Sequence, residues 1–144
     1  DFNNKMRQKL SAFIDRLKSG DYNFTSYDFR KLPNDDWNER TFVYADPPYL
    51  ITCATYNEHN SWNEMLENEL LTYLDNLHKR GIRKSYKGGW CYLVKGKENK
   101  ILLDWINKNV GQYRVIYLDY NYANSNYQTK DKTSKAEEVL IVNY

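Results

Sequence analysis

The residues best suited to chemistry in this sequence are Asp46-Pro47-Pro48-Tyr49. They follow directly on Thr41 to Ala45, a run of β-branched and aromatic residues that reads as a buried strand. Asp46 therefore stands at the carboxyl end of a strand, where ligands bind in open α/β sheets. Each proline behind it lacks an N–H donor and locks φ, and Pro48 also holds Pro47 extended. The product is a rigid loop with an acidic side chain, unengaged backbone carbonyls and an aromatic ring. It combines hydrogen-bond acceptors with a stacking surface. The plain alternative is a strand that ends in a proline turn, with Asp46 as a turn residue.

The flanking sequence predicts the elements that must position this loop. Asn3 to Lys18 reads as an amphipathic helix, with Met6, Leu10, Phe13, Ile14 and Leu17 on one face and basic residues over much of the rest. The basic face could meet phosphate or could simply be solvated. Tyr22 to Ser26 is a short strand candidate, followed by Tyr27-Asp28-Phe29 and by a polar loop from Leu32 to Arg40. Ser61-Trp62-Asn63-Glu64 is a capping-box pattern. It opens a helix to about Lys79 with Trp62, Met65, Leu66, Leu70, Tyr73, Leu74 and Leu77 inward, and Gly81 ends it.

A strand should begin at Ile82. The segment Arg83 to Val94 makes a poor one, because Lys84 and Lys87 would be buried in it at high cost without partners. Either Trp90 to Val94 takes its place, or this edge is altered. The pair Gly88-Gly89 is not a phosphate loop, since no G-x-G-x-x-G or Walker pattern surrounds it. Lys97 to Asn109 reads as a helix with Ile101, Leu102, Trp105 and Ile106 inward, and Gln112 to Tyr120 as a strand. Asn121 to Lys135 is a long polar loop, and Glu137 to Tyr144 an apolar strand. The order β-loop-α-β-α-β-loop-β predicts an α/β fold: part of a Rossmann-like sheet with flanking helices and an antiparallel C-terminal strand pair.

At 144 residues the chain is one domain or part of one. A formal net charge of +2 advertises no large nucleic-acid field, so the distribution of charge matters more than its total. Aromatic residues make up 16%, and the abundant Tyr and Asn suit contacts to bases as well as they suit an AT-rich genome. Cys53 and Cys91 give neither metal spacing nor a disulfide framework, so no metal site is expected and a reduced cytoplasmic compartment fits. No signal-peptide pattern opens the sequence, and no apolar run is long enough to span a membrane.

The run Asp46-Pro47-Pro48-Tyr49 after an apolar strand resembles the catalytic motif of amino-methyltransferases that use S-adenosylmethionine (AdoMet). With Asp in the first position it looks most like the N6-adenine enzymes of the Dam-like DNA methyltransferase family. Three further pieces are similar to that family: Asp28-Phe29, Asn124-Ser125-Asn126-Tyr127, and the ending Ala136 to Tyr144. The resemblance implies that Asp46 and the Pro47 carbonyl accept the two N–H bonds of an adenine amine. It implies that Tyr49 stacks on the base, which must be flipped out of the duplex. Asp28 would accept from the adenine amine of AdoMet and Phe29 would pack on its ring. From the residues alone, an Asp capping a short turn beside a core Phe is the alternative.

By the same resemblance Asn126 and Tyr127 lie near the target base. Lys130, Lys132 and Lys135 are the best cations for double-stranded DNA, with a solvated loop as the alternative. The segment Arg83 to Val94 departs from the family, which has a short apolar strand ending in Ser-Asn there. None of the six glycines forms the Gly-rich turn that an AdoMet site needs. The chain therefore resembles the C-terminal part of such an enzyme, with residues 1–40 as helix and cofactor-adenine segment and 41–144 as the catalytic part. The expectation is a restriction-modification type DNA adenine-N6 methyltransferase whose isolated chain is inactive for want of an N-terminal half or partner chain. A non-catalytic DNA-binding or assembly remnant of the same fold, and an RNA adenine-N6 methyltransferase, are the alternatives.

Overall fold

A computed structural model describes residues 3–51, 62–92, 97–118 and 136–144 of the chain. Two compact units follow one another, Asp1–Leu32 and Pro33–Tyr144.

In the first unit, α1 spans Asn4–Ser19. Asn3 caps it, its side chain accepting from the Met6 N–H at 3.0 Å, and Arg16 and Lys18 sit in the last turn, where cations suit the helix dipole. The predicted helix forms, but its apolar face is not buried. Met6, Leu10, Phe13 and Ile14 are all exposed, and no residue of α1 is buried. Periodicity shows which side is apolar, not what covers it. Tyr22 to Ser26 is not a strand. Without a neighbouring strand to complete its ladder, so short an extended run gains little from β conformation. Tyr22 and Phe24 stack instead, with ring centroids 6.4 Å apart.

The second unit is a mixed sheet with helices. Its strands are β1 (Phe42–Ala45), β2 (Arg83–Tyr92), β3 (Lys97–Glu98), β4 (Arg114–Leu118) and β5 (Ala136–Val142). The order is β1-β2-β5-β4, with β3 paired to the far end of β2. β1 runs parallel to β2, whereas β5 is antiparallel to both β2 and β4. The expected α/β class and the antiparallel C-terminal pair are therefore what forms.

Two helices complete the unit, α2 (Glu64–Lys79) and α3 (Lys100–Lys108). The cap of α2 is Asn63, whose side chain accepts from the Leu66 N–H at 3.0 Å. At the other end Gly81 adopts φ 76°, a left-handed turn that favours glycine. The Gly81 N–H then reaches the His78 carbonyl and the Ile82 N–H reaches the Leu77 carbonyl, which closes the helix and releases the chain into β2. Leu70, Leu71, Leu74 and Leu77 of α2 pack with Ile82, Leu102, Trp105, Val139 and Ile141 in the core. Met65, expected inward, is 59% exposed, and Glu67 and Leu71 are buried in addition. The buried stripe is thus rotated from the one that apolarity alone suggests.

Two further expectations need correction. β1 is not a buried strand. Among the described residues it lies at the sheet edge with β2 as its one neighbour, and Phe42 and Tyr44 are exposed while Val43 and Ala45 are half-buried. A short apolar run does not reveal whether both faces are covered. The segment after Ile82 is not a failed strand either. β2 runs continuously from Arg83 to Tyr92 and includes Trp90, so no later segment replaces it.

Lys84 is 1% exposed in β2, and its partners come from two helices and from the residue before β4. Its Nζ lies 3.9 Å from Asp75 Oδ1 on α2, 4.9 Å from the Trp105 ring centroid on α3, and 3.9 Å from that of Tyr113 just before β4. Asp75 also accepts from Trp105 Nε1 at 3.0 Å and from the Tyr113 hydroxyl at 2.5 Å. Burial outweighs this company. It lowers the Lys84 pKa to about 7, and the Asp75 charge only partly opposes the shift.

Candidate functional site

β1 stops at Ala45, the register partner of Tyr86, and Asp46 follows as an exposed residue at the carboxyl end of the strand. Among the described residues no hydrogen bond or ion pair engages the Asp46 carboxylate. Pro47 is half-buried and Pro48 exposed. Strand, carboxylate and prolines thus form a fixed corner with an available acceptor.

Tyr49 is held from two directions. Its ring lies on β2 at Gly89, where an added Cβ would meet Tyr49 Cδ2 at 2.9 Å. Its hydroxyl donates to Glu138 Oε1 on β5 at 2.5 Å. Glu138 is the register partner of Gly89, so both project from the same face of the sheet. Lys87, two residues earlier on β2, places Nζ 3.7 Å from the same carboxylate oxygen. Burial and the Glu138 carboxylate both push the Tyr49 phenol above its ordinary range, so it remains a neutral donor.

The opposite face of β2 carries a second tyrosine–carboxylate pair. Tyr86 is buried, and its hydroxyl donates to Glu67 Oε1 at 2.5 Å. Glu67 also accepts from Trp62 Nε1 at 2.7 Å and from Asn99 Nδ2 at 3.4 Å. Burial, above all, raises the Tyr86 pKa. A Cβ at Gly88 would meet Tyr86 Cε1 at 2.5 Å. The Gly88-Gly89 pair therefore has a positive role. Successive residues of a strand face opposite sides, so each glycine clears room for one tyrosine ring. A Gly-Gly pair inside a strand is itself a signal of such close approach.

The other expected residues fall elsewhere. Asp28, in the first unit, caps a short 3-10 turn at Phe29–Lys31. Its carboxylate accepts from the Arg30 N–H and from Arg30 Nε, each at 2.9 Å, and from the guanidinium terminus at 2.5 Å. These bonds hold Asp28 well below the usual carboxylate range. The Arg30 guanidinium sits 5.9 Å from the Phe29 ring centroid, and Phe29 is half-buried. Asn126, Tyr127, Lys130, Lys132 and Lys135 lie outside the described residues. Among the described residues no cluster of His, Cys, Asp or Glu could hold a metal, and no helix is long and apolar enough to cross a membrane.

Beside the corner is a cleft of about 270 Å³ lined by Leu50, Ile51, Glu64, Lys97, Asn99 and Lys100, among others. Sequence reasoning found the corner but missed Glu138, Lys87 and Gly89, which fix Tyr49 in place. The usable signal was the pair Glu137-Glu138 at the start of the strand that continues as the apolar run Val139 to Val142.

Comparison with known proteins bears on what this corner is. The family model for D12 class N6 adenine-specific DNA methyltransferases matches residues 1–123. Modification methylase StsI of Streptococcus sanguinis is 38% identical over 148 residues, covering 99% of this chain and 22% of that protein. Type II methyltransferase M.FokI of Planomicrobium okeanokoites is 33% identical over 147 residues, again with 99% and 22% covered. Modification methylase LlaI of Lactococcus lactis subsp. lactis is 27% identical over 142 residues, with 92% and 22% covered. The chain thus spans 22% of the length of each of these relatives. An Asp-Pro-Pro-Tyr corner at the carboxyl end of a parallel strand, in a chain matched over most of its length by that model, has one consequence: the chain belongs to the D12 class of N6 adenine-specific DNA methyltransferases.

Proposed function

We propose that the protein containing this chain methylates the N6 position of adenine in double-stranded DNA, with AdoMet as methyl donor, as the modification member of a restriction-modification pair. The observation that carries this reading is the exposed Asp46 carboxylate, next to the Pro47 carbonyl, at the end of β1. The names of the relatives, modification methylases, support the pairing with a restriction activity.

The acceptor chemistry follows from the corner. An adenine amine is a poor nucleophile because its lone pair is delocalised into the ring. Accepting its two N–H bonds with a carboxylate and a carbonyl favours a tetrahedral nitrogen whose lone pair is directed away from the ring. Asp46 and Pro47 are adjacent and the prolines restrict them in advance, so little reorganisation is needed when the amine arrives. Tyr49 supplies the surface on which the flipped base stacks. Asp46 need not be a strong base, because the N6 proton becomes acidic once the nitrogen carries the methyl group.

AdoMet would supply an electrophilic methyl group. The described residues do not form a pocket for it by themselves. Asp28 commits its carboxylate to Arg30 and to the cap of a turn, and no Gly-rich turn is present. We therefore assign this chain the acceptor side of the reaction. Asn126, Tyr127, Lys130, Lys132 and Lys135 complete the reading as contacts to the base and the DNA backbone.

Replacing Asp46 by Ala in the full-length protein tests the assignment. Methyl transfer should fall by about 100-fold to 1,000-fold, the usual cost of losing one preorganised electrostatic contact. DNA affinity should change little. Activity that survives D46A would remove Asp46 from the reaction.

A further inference from the structure

We infer that Glu138 is a positioning residue for the transfer, holding the Tyr49 ring in the one orientation that can receive the target base. The inference rests on the proposed function and concerns a residue that does not touch the reacting atoms. Three observations point to it.

First, the Tyr49 ring needs no hydroxyl in order to stack. A phenylalanine has the same face. Yet the hydroxyl is used, in a 2.5 Å bond to a carboxylate from a strand 89 positions further along the chain. A ring fixed at its backbone and at its far tip cannot swing about its side-chain torsions. Second, the missing side chain at Gly89 lets the ring lie close against β2, where a Cβ would meet Tyr49 Cδ2 at 2.9 Å and Cγ at 3.2 Å, so β2 limits how the ring can turn. Third, the carboxylate is a poor choice for stability alone. Glu138 is 6% exposed, and its Oε2 is buried with no hydrogen-bond partner among the described residues. Such a desolvated oxygen is costly. Lys87, at 3.7 Å from Oε1, offsets only part of that cost. Its retention next to the motif tyrosine fits a functional task better than a structural one.

The test uses the full-length protein and four variants: Glu138→Gln, Glu138→Ala, Tyr49→Phe, and Tyr49→Phe combined with Glu138→Ala. Steady-state methylation of duplex DNA and thermal unfolding are measured for each. Misplacing a group by about 1 Å can cost on the order of 100-fold in rate, and E138A should lower kcat by about that much with a smaller change in KM. Glu138→Gln keeps an acceptor for the hydroxyl and removes the charge. It should recover most of the lost rate at an unchanged or higher melting temperature, and it guards against reading misfolding as lost positioning. The double variant should be no slower than E138A, because both changes break one bond.

Additive losses in kcat, or losses that follow the melting temperature across all variants, would overturn the role of Glu138 while leaving the methyltransferase reading intact. Wild-type protein that transfers no methyl group to DNA would overturn both, and so the two failures are distinguishable.

Discussion

Two tyrosine–carboxylate pairs flank β2, one on each face, and they are not equivalent. On the helix-covered face Tyr86 donates to Glu67, which also receives Trp62 and Asn99, so a fully buried carboxylate has donors on both oxygens. On the other face Tyr49 donates to Glu138, Lys87 stands at salt-bridge distance, and one carboxylate oxygen has no partner among the described residues. Each pair has its own glycine to make room, Gly88 for Tyr86 and Gly89 for Tyr49. The satisfied pair ties α2 to the sheet. The unsatisfied pair ties the loop Asp46 to Tyr49 to the sheet, at some expense in stability. The same chemistry is thus fully satisfied on one face and partly unsatisfied on the other.

The comparison is broken most severely by Glu67→Ala. It would leave the Tyr86 hydroxyl, Trp62 Nε1 and Asn99 Nδ2 without their acceptor, at about 1–3 kcal/mol for each buried donor. Denaturant unfolding should show a loss of several kcal/mol. A loss below about 1 kcal/mol would mean that the cluster is not structural.

The glycines sharpen the contrast at smaller cost. Gly88→Ala presses on a buried ring and should cost about 1–3 kcal/mol of stability. Gly89→Ala presses on the half-buried Tyr49 ring and should cost less stability but more activity. Equal effects of the two changes on both quantities would erase the distinction.

The smallest effect concerns Lys84. Its pKa in the folded protein is about 7, below the ordinary 10.5, so between these values the unfolded chain binds more protons. Stability should therefore rise as pH increases from about 7 toward 10. Above that range the sign reverses. The phenols of Tyr49, Tyr86 and Tyr113 are held above their ordinary value of 10.0, so the unfolded chain ionises first. Lys84→Met should flatten the rise, with Asp75 keeping Trp105 Nε1 and the Tyr113 hydroxyl as its donors. A rise that persists unchanged in K84M would assign it to another group.

Much of this was legible in the sequence where the cause is local. The Asp46 corner needs only a strand followed by two prolines. α2 announces itself by periodicity and by Gly81, which takes the left-handed conformation that its position suggests. What could not be read was set by distant residues. Lys84 looks unaffordable in a strand until Asp75, Trp105 and Tyr113 converge on it from separate elements. β1 reads as buried because its residues are apolar, whereas its place at the sheet edge leaves Phe42 and Tyr44 exposed. Glu138 is an unremarked charge in an apolar strand until register with Gly89 brings it to Tyr49. α1 shows the converse, since its apolar stripe was legible but packs on nothing within the unit that carries it.

The donor side offers a simple check. Calorimetric titration of this chain with AdoMet should show weak or no binding, because Asp28 is already engaged and no Gly-rich turn is present. Tight binding would mean that the chain holds a donor pocket after all.

The most direct test of the central claim is product identification. Duplex DNA would be incubated with the full-length protein and AdoMet, digested to nucleosides, and analysed by mass spectrometry alongside the D46A protein. The wild type should yield N6-methyldeoxyadenosine and D46A almost none. A methylated cytosine, or N6-methyldeoxyadenosine at equal levels from both proteins, would contradict that claim.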